Sequence, residues 1–201
     1  MVRLGVLLAG GRSRRMGGGD KFRRELMGTT LIERVRLRLD KQVDCLAVSA
    51  ARQSRLYDLG MLVIEDEIVD AGPLGGIHSA LRWAHGAFGD QATVLTVPAD
   101  TPFIPIDLAS RLHQARQAGA ADVAVAVSAG RTHHAIALWP ASLGEDLDVW
   151  LRGQDQRSVN GFLSHYRVAT AMFEGRTDPF FNVNTPEDMT KAQSLAQEVG
   201  R

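Results

Sequence analysis

The stretch RLGVLLAGGRSRRMGGGDK, Arg3 to Lys21, decides the fold. Its first half is an apolar run without polar alternation, the mark of a strand buried on both faces of a sheet. Its second half is the opposite: between Leu7 and Lys21 lie five glycines, three arginines and a lysine. Glycine gives up more conformational freedom on ordering than any other residue. A chain that orders so many of them and sets positive charge on the same loop is built to meet a polyanion. A solvated turn is the plainer alternative.

Neither of the two familiar phosphate grips fits. The dinucleotide pattern G-x-G-x-x-G is absent around Gly10-Gly11 and Gly17-Gly18-Gly19. The Walker pattern fails because Asp20 precedes Lys21 and Phe22 follows it. The shared physics survives: glycines let backbone N–H groups approach phosphate oxygens, and Arg14, Arg15 and Lys21 add charge-assisted hydrogen bonds suited to a triphosphate.

Beyond this loop, short β-rich runs alternate with helical periodicity. RLGVLLAG, DCLAVSA, MLVIED, ATVLTVPAD, DVAVAVSAG and AIALWP read as strands. TTLIERVRLRL places Leu31, Ile32, Val35 and Leu39 on one face, and PIDLASRLHQARQAG does the same for Leu108, Leu112 and Ala115. In NTPED, Thr185 and Asp188 form a capping box around Pro186 and announce a last helix. The pattern predicts an α/β fold with a mostly parallel central sheet and helices on both faces, one domain over residues 1–201.

The chain has 201 residues, 45% of them hydrophobic, and 23 basic against 23 acidic side chains. With no net field to draw it to nucleic acid or an anionic membrane, anion binding has to be local. Cys45 is the sole cysteine, which leaves no disulfide framework and no zinc motif and reads as a small core hydrophobe. A secretory leader and a bilayer-length apolar run are both absent, so a cytoplasmic location is expected. Trp83, Trp139 and Trp150 read as core.

A second signal is TVPADTPFI, where an apolar strand ends at Asp100. In open α/β sheets ligands bind outside the carboxyl ends of the strands, so Asp100 faces the same crevice as the basic loop. A carboxylate beside a triphosphate implies a metal ion between them, since the two anions otherwise repel. Asp100 reads equally well as a cap for TPFIPIDL.

Taken together, LAGGRSRRMGGGDK, VIED, GPLGGI, VPADTPFIP, RTHHAIALW and NVNTPED, in that order over nearly the whole chain, resemble the molybdenum cofactor guanylyltransferase (MobA) family. The resemblance implies a Rossmann-like nucleotidyltransferase fold. It implies transfer of GMP from GTP to Mo-molybdopterin, giving the guanine dinucleotide cofactor and pyrophosphate, with Mg²⁺ held by Asp100. By position, Leu8, Ala9 and Gly10 would line the GTP pocket, with Lys21 and Arg15 on the phosphates and Ser49 and Asp66 near the nucleoside. Many members carry Asn at the position of Ser49, and an amide's paired contacts are lost here. Gly72 to Gly76 would form a loop closing over the base. Asn182, Asn184 and Arg157 are expected at the molybdopterin side, with Arg131 and His133 as further candidates. The partners implied are GTP and Mo-molybdopterin, with molybdoenzyme apoproteins or cofactor chaperones downstream. A sister cytidylyltransferase, or a non-catalytic chaperone binding GTP and molybdopterin, would share much of this sequence.

Overall fold

Along Arg3–Leu8 (β1), successive side chains enter two different cores: Leu4, Val6 and Leu8 on one face of the sheet, Leu7 and then Ala9 on the other. This two-sided burial is why the segment is unbroken in its apolarity. The computed structural model describes residues 3–10, 21–51, 56, 59–68, 70–153, 158–175 and 177–199. The basic glycine-rich segment 11–20, with Arg14 and Arg15, and residues 154–157, with Arg157, lie outside them.

A two-stranded ribbon, Glu25–Leu26 (β2) with Thr29–Thr30 (β3), leads into helix α1, Leu31–Leu39. Thr30 caps that helix, its Oγ1 accepting from the Glu33 amide at 3.3 Å. The central sheet is completed by Cys45–Ala50 (β4), Leu62–Glu65 (β5), Thr93–Pro98 (β6), Val123–Ser128 (β7), Arg131–Pro140 (β8) and Val168–Met172 (β9). Their order is β5-β4-β1-β6-β8-β7-β9. Only β8 runs against its neighbours among these seven strands. The chain leaves β1 for β4 and β5 on one side, then crosses back to β6 on the other. The carboxyl end of β1 is therefore the switch point at which open α/β sheets leave a crevice.

Helices Pro73–Phe88 (α2), Leu143–Gly153 (α4) and Val159–Leu163 (α5) cover one face, while α1 and Leu108–Ala118 (α3) cover the other. Trp139 is fully buried in the first layer, and its Nε1–H donates to Thr96 Oγ1 at 2.9 Å. Left unpaired, that donor would cost about 1–3 kcal/mol. Trp83, Trp150 and Cys45 are partly buried against the same layer. The last helix, Pro186–Val199 (α6), has the expected capping box: Thr185 N–H donates to Asp188 Oδ2 at 2.9 Å and Asp188 N–H to Thr185 Oγ1 at 3.1 Å. It forms a small third cluster with Leu26, Leu31 and Val183.

Two expectations are corrected, and one strand has no counterpart in the sequence reading. Strand β8 begins at Arg131 rather than Ala135, because a bulge opposite Val125 and Ala126 lets the polar residues 131–134 continue the ladder. Strand β9 is an edge strand with one fully buried residue, Ala171, and so carried little apolar signal. Residues 73–76, expected in a loop, form the first turn of α2, with Pro73 at the position its fixed φ suits. Of residues 72–76, Gly72 has a left-handed backbone, φ 57°.

Candidate active site

Several loops converge beyond the carboxyl ends of β1 and β6 on a cavity of about 220 Å³. Its walls include Leu8, Ala9 and Gly10, then Lys21 and Phe22, Pro73, Pro98 to Asp100, Ala135, and the asparagines Asn182 and Asn184. Sheet pairing fixes the first wall: the Ala9 amide donates to the Ser49 carbonyl at 2.8 Å, and the Leu8 carbonyl accepts from Ala99 at 3.1 Å. Lys21 opens a short 3₁₀ turn whose next residue, Phe22, is buried in the second core layer and anchors it.

Asp100 follows β6 in a turn and is 5% exposed. It caps no helix, since α3 starts only at Leu108. One carboxylate oxygen, Oδ2, is ion-paired with Lys21 Nζ, and the same ammonium donates to Asn184 Oδ1 at 2.7 Å. The other oxygen, Oδ1, is buried with no hydrogen-bond partner among the described residues. A buried carboxylate oxygen without a donor is expensive unless something cationic meets it. The oxygens of Asp100 and Asn184 already share one positive charge. That donor set, hard and entirely oxygen, suits a divalent cation of the Mg²⁺ type. The described residues hold no group of three or more His, Cys, Asp or Glu placed to bind a metal. Such an ion would take most of its coordination from ligands other than these side chains, as is usual for Mg²⁺.

The segment carrying both asparagines is bolted to this turn. The Val183 amide donates to the Asp100 carbonyl at 3.0 Å, and Thr101 Oγ1 donates to Asn182 Oδ1 at 2.9 Å. Asn184 is held from below by α6, its amide donating to Asp188 Oδ2 at 2.9 Å. Residues 181–184 are irregular backbone rather than a strand, and both side chains still reach the cavity. Thr101, fully buried, has no counterpart in the sequence reading. Its signal was a hydroxyl directly after Asp100.

Ser49 and Asp66 form a separate corner at the carboxyl ends of β4 and β5. Ser49 is fully buried and its hydroxyl donates to Asp66 Oδ1. Burial pushes the Asp66 carboxyl above the ordinary carboxylate range, against the lowering effect of the Ser49 bond. Two glycines make room. A Cβ at Gly76 would lie 2.8 Å from Ser49 Oγ, and one at Gly10 would lie 3.0 Å from Asp66 Oδ2.

His133 sits elsewhere. Ser128 Oγ donates its only proton to Asp178 Oδ1 at 2.5 Å, so His133 Nε2, 2.8 Å away, must be the donor to Ser128. Burial, the largest influence, lowers the His133 pKa and favours this neutral ring, which also packs on Phe180 at 5.0 Å between centroids. Arg131 is exposed.

A doubly covered sheet with a crevice at its switch point, lined by a paired lysine and carboxylate, is a nucleotide-handling architecture. The chain belongs to the MobA-like NTP transferase family, whose domain profile matches residues 5–168. It is 46% identical over 194 residues to a molybdenum cofactor guanylyltransferase of Rhodopseudomonas palustris, covering 95% of this chain and 92% of that one. A protein of the same name from Cereibacter sphaeroides is 44% identical, with 96% of this chain and 97% of that one covered. Among solved structures, molybdopterin-guanine dinucleotide biosynthesis protein A of Archaeoglobus fulgidus superposes with a TM-score of 0.76 at 22% identity, over 98% and 99% of the two chains. A CMP:2-keto-3-deoxy-manno-octonic acid synthetase complexed with CTP superposes at 0.73 and 16% identity, over 98% and 100%. These last two describe the fold.

Proposed function

We propose that this protein transfers GMP from GTP to Mo-molybdopterin. An oxygen of the acceptor's terminal phosphate forms a bond to the α-phosphorus of GTP. The α–β bridging P–O bond breaks, and its electron pair leaves on pyrophosphate. Both reactants are anions, so the protein's task is positioning and charge neutralisation. The observation that carries the reading is the buried Asp100 carboxylate lining the switch-point cavity, with one oxygen unpartnered among the described residues and the other shared with Lys21.

Asp100 and Asn184 would hold the Mg²⁺ ion. When bound, it would supply Lewis-acidic charge that offsets the repulsion between the two anionic reactants. Lys21, with Arg15 by position in the family, balances the charge that grows on pyrophosphate. The walls at Leu8, Ala9 and Gly10 receive the nucleotide, with Asp66 near the nucleoside. Asn182 and Asn184, clamped by Thr101 and Asp188, face the acceptor, with Arg157 assigned to the same side by family position. No side-chain nucleophile is required.

The test is direct: incubate the protein with Mo-molybdopterin, Mg²⁺ and each nucleoside triphosphate in turn, then release the nucleotide from the product with acid. GMP is expected, with kcat/KM for GTP at least about a hundredfold above that for CTP. Guanine offers a donor pair where cytosine offers an acceptor, and each unmade buried hydrogen bond costs about 1–3 kcal/mol. Comparable release of CMP would exclude a guanylyltransferase and leave a nucleotidyltransferase.

A further inference from the structure

Ser49 stands where a nucleoside contact is expected by family position, yet its side chain is fully buried beneath the first turn of α2. Its hydroxyl has one proton, and that proton goes to Asp66 Oδ1. The space around Oγ is closed on the helix side, where the missing Cβ of Gly76 would come within 2.8 Å. Asp66 reaches outward instead. Its second oxygen, Oδ2, lies 3.0 Å from where a Cβ on Gly10 would be, and Gly10 lines the cavity. Backbone pairing holds both residues in register: Ala9 N–H donates to Ser49 C=O at 2.8 Å and Asp66 N–H to Ala50 C=O at 2.9 Å.

We infer that Ser49 is a positioning residue for nucleoside recognition: it holds one oxygen of Asp66 so that the other is presented past Gly10 to an N–H or O–H donor of the nucleoside. The inference rests on the proposed use of GTP. A carboxyl held by a single anchored oxygen loses rotational freedom about its terminal torsion before the ligand arrives, which reduces the ordering cost of binding. A Cβ at position 76 would lie 2.8 Å from Ser49 Oγ and 3.0 Å from Leu8 Cδ2, so the glycine there leaves the hydroxyl its room. The glycines at 10 and 76 and the serine at 49 thus form one device, in which two missing side chains let a buried hydroxyl steer a carboxyl.

The experiment is a double-mutant cycle on ligand binding, read by titration calorimetry with the full chain. Ser49→Ala, Asp66→Asn and the double variant are titrated with GTP and, separately, with inorganic tripolyphosphate. Ser49→Ala should weaken GTP by about tenfold and leave tripolyphosphate within twofold. In the Asp66→Asn background it should cost less than about twofold more, because a residue acting through Asp66 has nothing left to position. Losses that multiply would overturn the inference and make Ser49 a direct contact. Equal weakening of GTP and tripolyphosphate would overturn it too, by making Ser49 a packing residue. If the parent protein binds GTP but transfers no GMP, the proposed reaction fails while the cycle still decides the role of Ser49.

Discussion

The cavity and the corner beside it, at Ser49 and Asp66, are built on opposite principles. In the cavity, proposed to take the phosphates, charge does the organising: the Lys21 ammonium bridges Asp100 and Asn184, and three loops distant in sequence converge on it. At the corner proposed for the nucleoside, the organising features are one hydroxyl, one carboxyl with a raised pKa, and two positions with no side chain at all. Charged groups can be placed loosely, because Coulomb attraction falls off slowly with distance. Hydrogen-bond readout requires contact near 3 Å and angles within a narrow cone. The cavity should therefore dominate rate, and the corner should tune selectivity.

The largest effect is expected from Asp100→Asn, which preserves shape and removes charge. Turnover should fall at least about a hundredfold, on the scale of losing one preorganised electrostatic contributor, while thermal unfolding changes little. Near-normal activity at saturating Mg²⁺ would move the cation site away from Asp100 and erase the contrast between the cavity and the corner.

Lys21→Ala should be milder, since part of the ammonium's charge is already engaged by Asp100 and Asn184. GTP binding or transfer should weaken at least about tenfold, equivalent to about 1.4 kcal/mol, with GDP affected less than GTP if the lysine meets the terminal phosphate. Parallel nucleotide titrations of parent and variant read this. Unchanged affinity and rate would assign Lys21 to holding Asp100 in the free protein and nothing more.

The smallest effect separates the corners by pH. Burial holds Asp66 above the usual carboxylate range, so the folded protein keeps a proton there after the unfolded chain has lost it. The folded state binds more protons in that window, and stability falls as pH rises from the unfolded carboxyl value through the raised one. Asp66→Asn cannot titrate. The parent's stability relative to the variant should therefore decline with rising pH across that window and level off above it, in urea unfolding of the free protein. A relative stability that climbs with pH would mean that Asp66 is held ionised, as a charged site is.

How much was legible follows the same division. Strand β1, the capped helix from Leu31 to Leu39 and the Thr185–Asp188 box are local in cause: side-chain periodicity and caps act within a few residues, and a sequence displays them directly. Lys21 and Asp100 stood out because charges beside apolar strands and glycines need a reason, and the structure brings them into contact. Edge strand β9 was hidden because an edge has one neighbour and little burial, and the bulge that lengthens β8 depends on its pairing with β7. Gly72 to Gly76 reads as a loop in the sequence, yet residues 73–76 are helical and the glycine at 76 makes room for Ser49, on a strand 27 residues earlier in the chain. The sequence by itself determined the alternation of strands and helices, the two-faced core and the charged residues at the crevice, all consequences of local pattern and charge. Only the tertiary structure decided that Ser49 faces a carboxyl rather than the cavity, that Lys21 is shared between Asp100 and Asn184, and that one oxygen of Asp100 is left over. Those facts depend on atoms a few ångström apart in space and tens of residues apart along the chain.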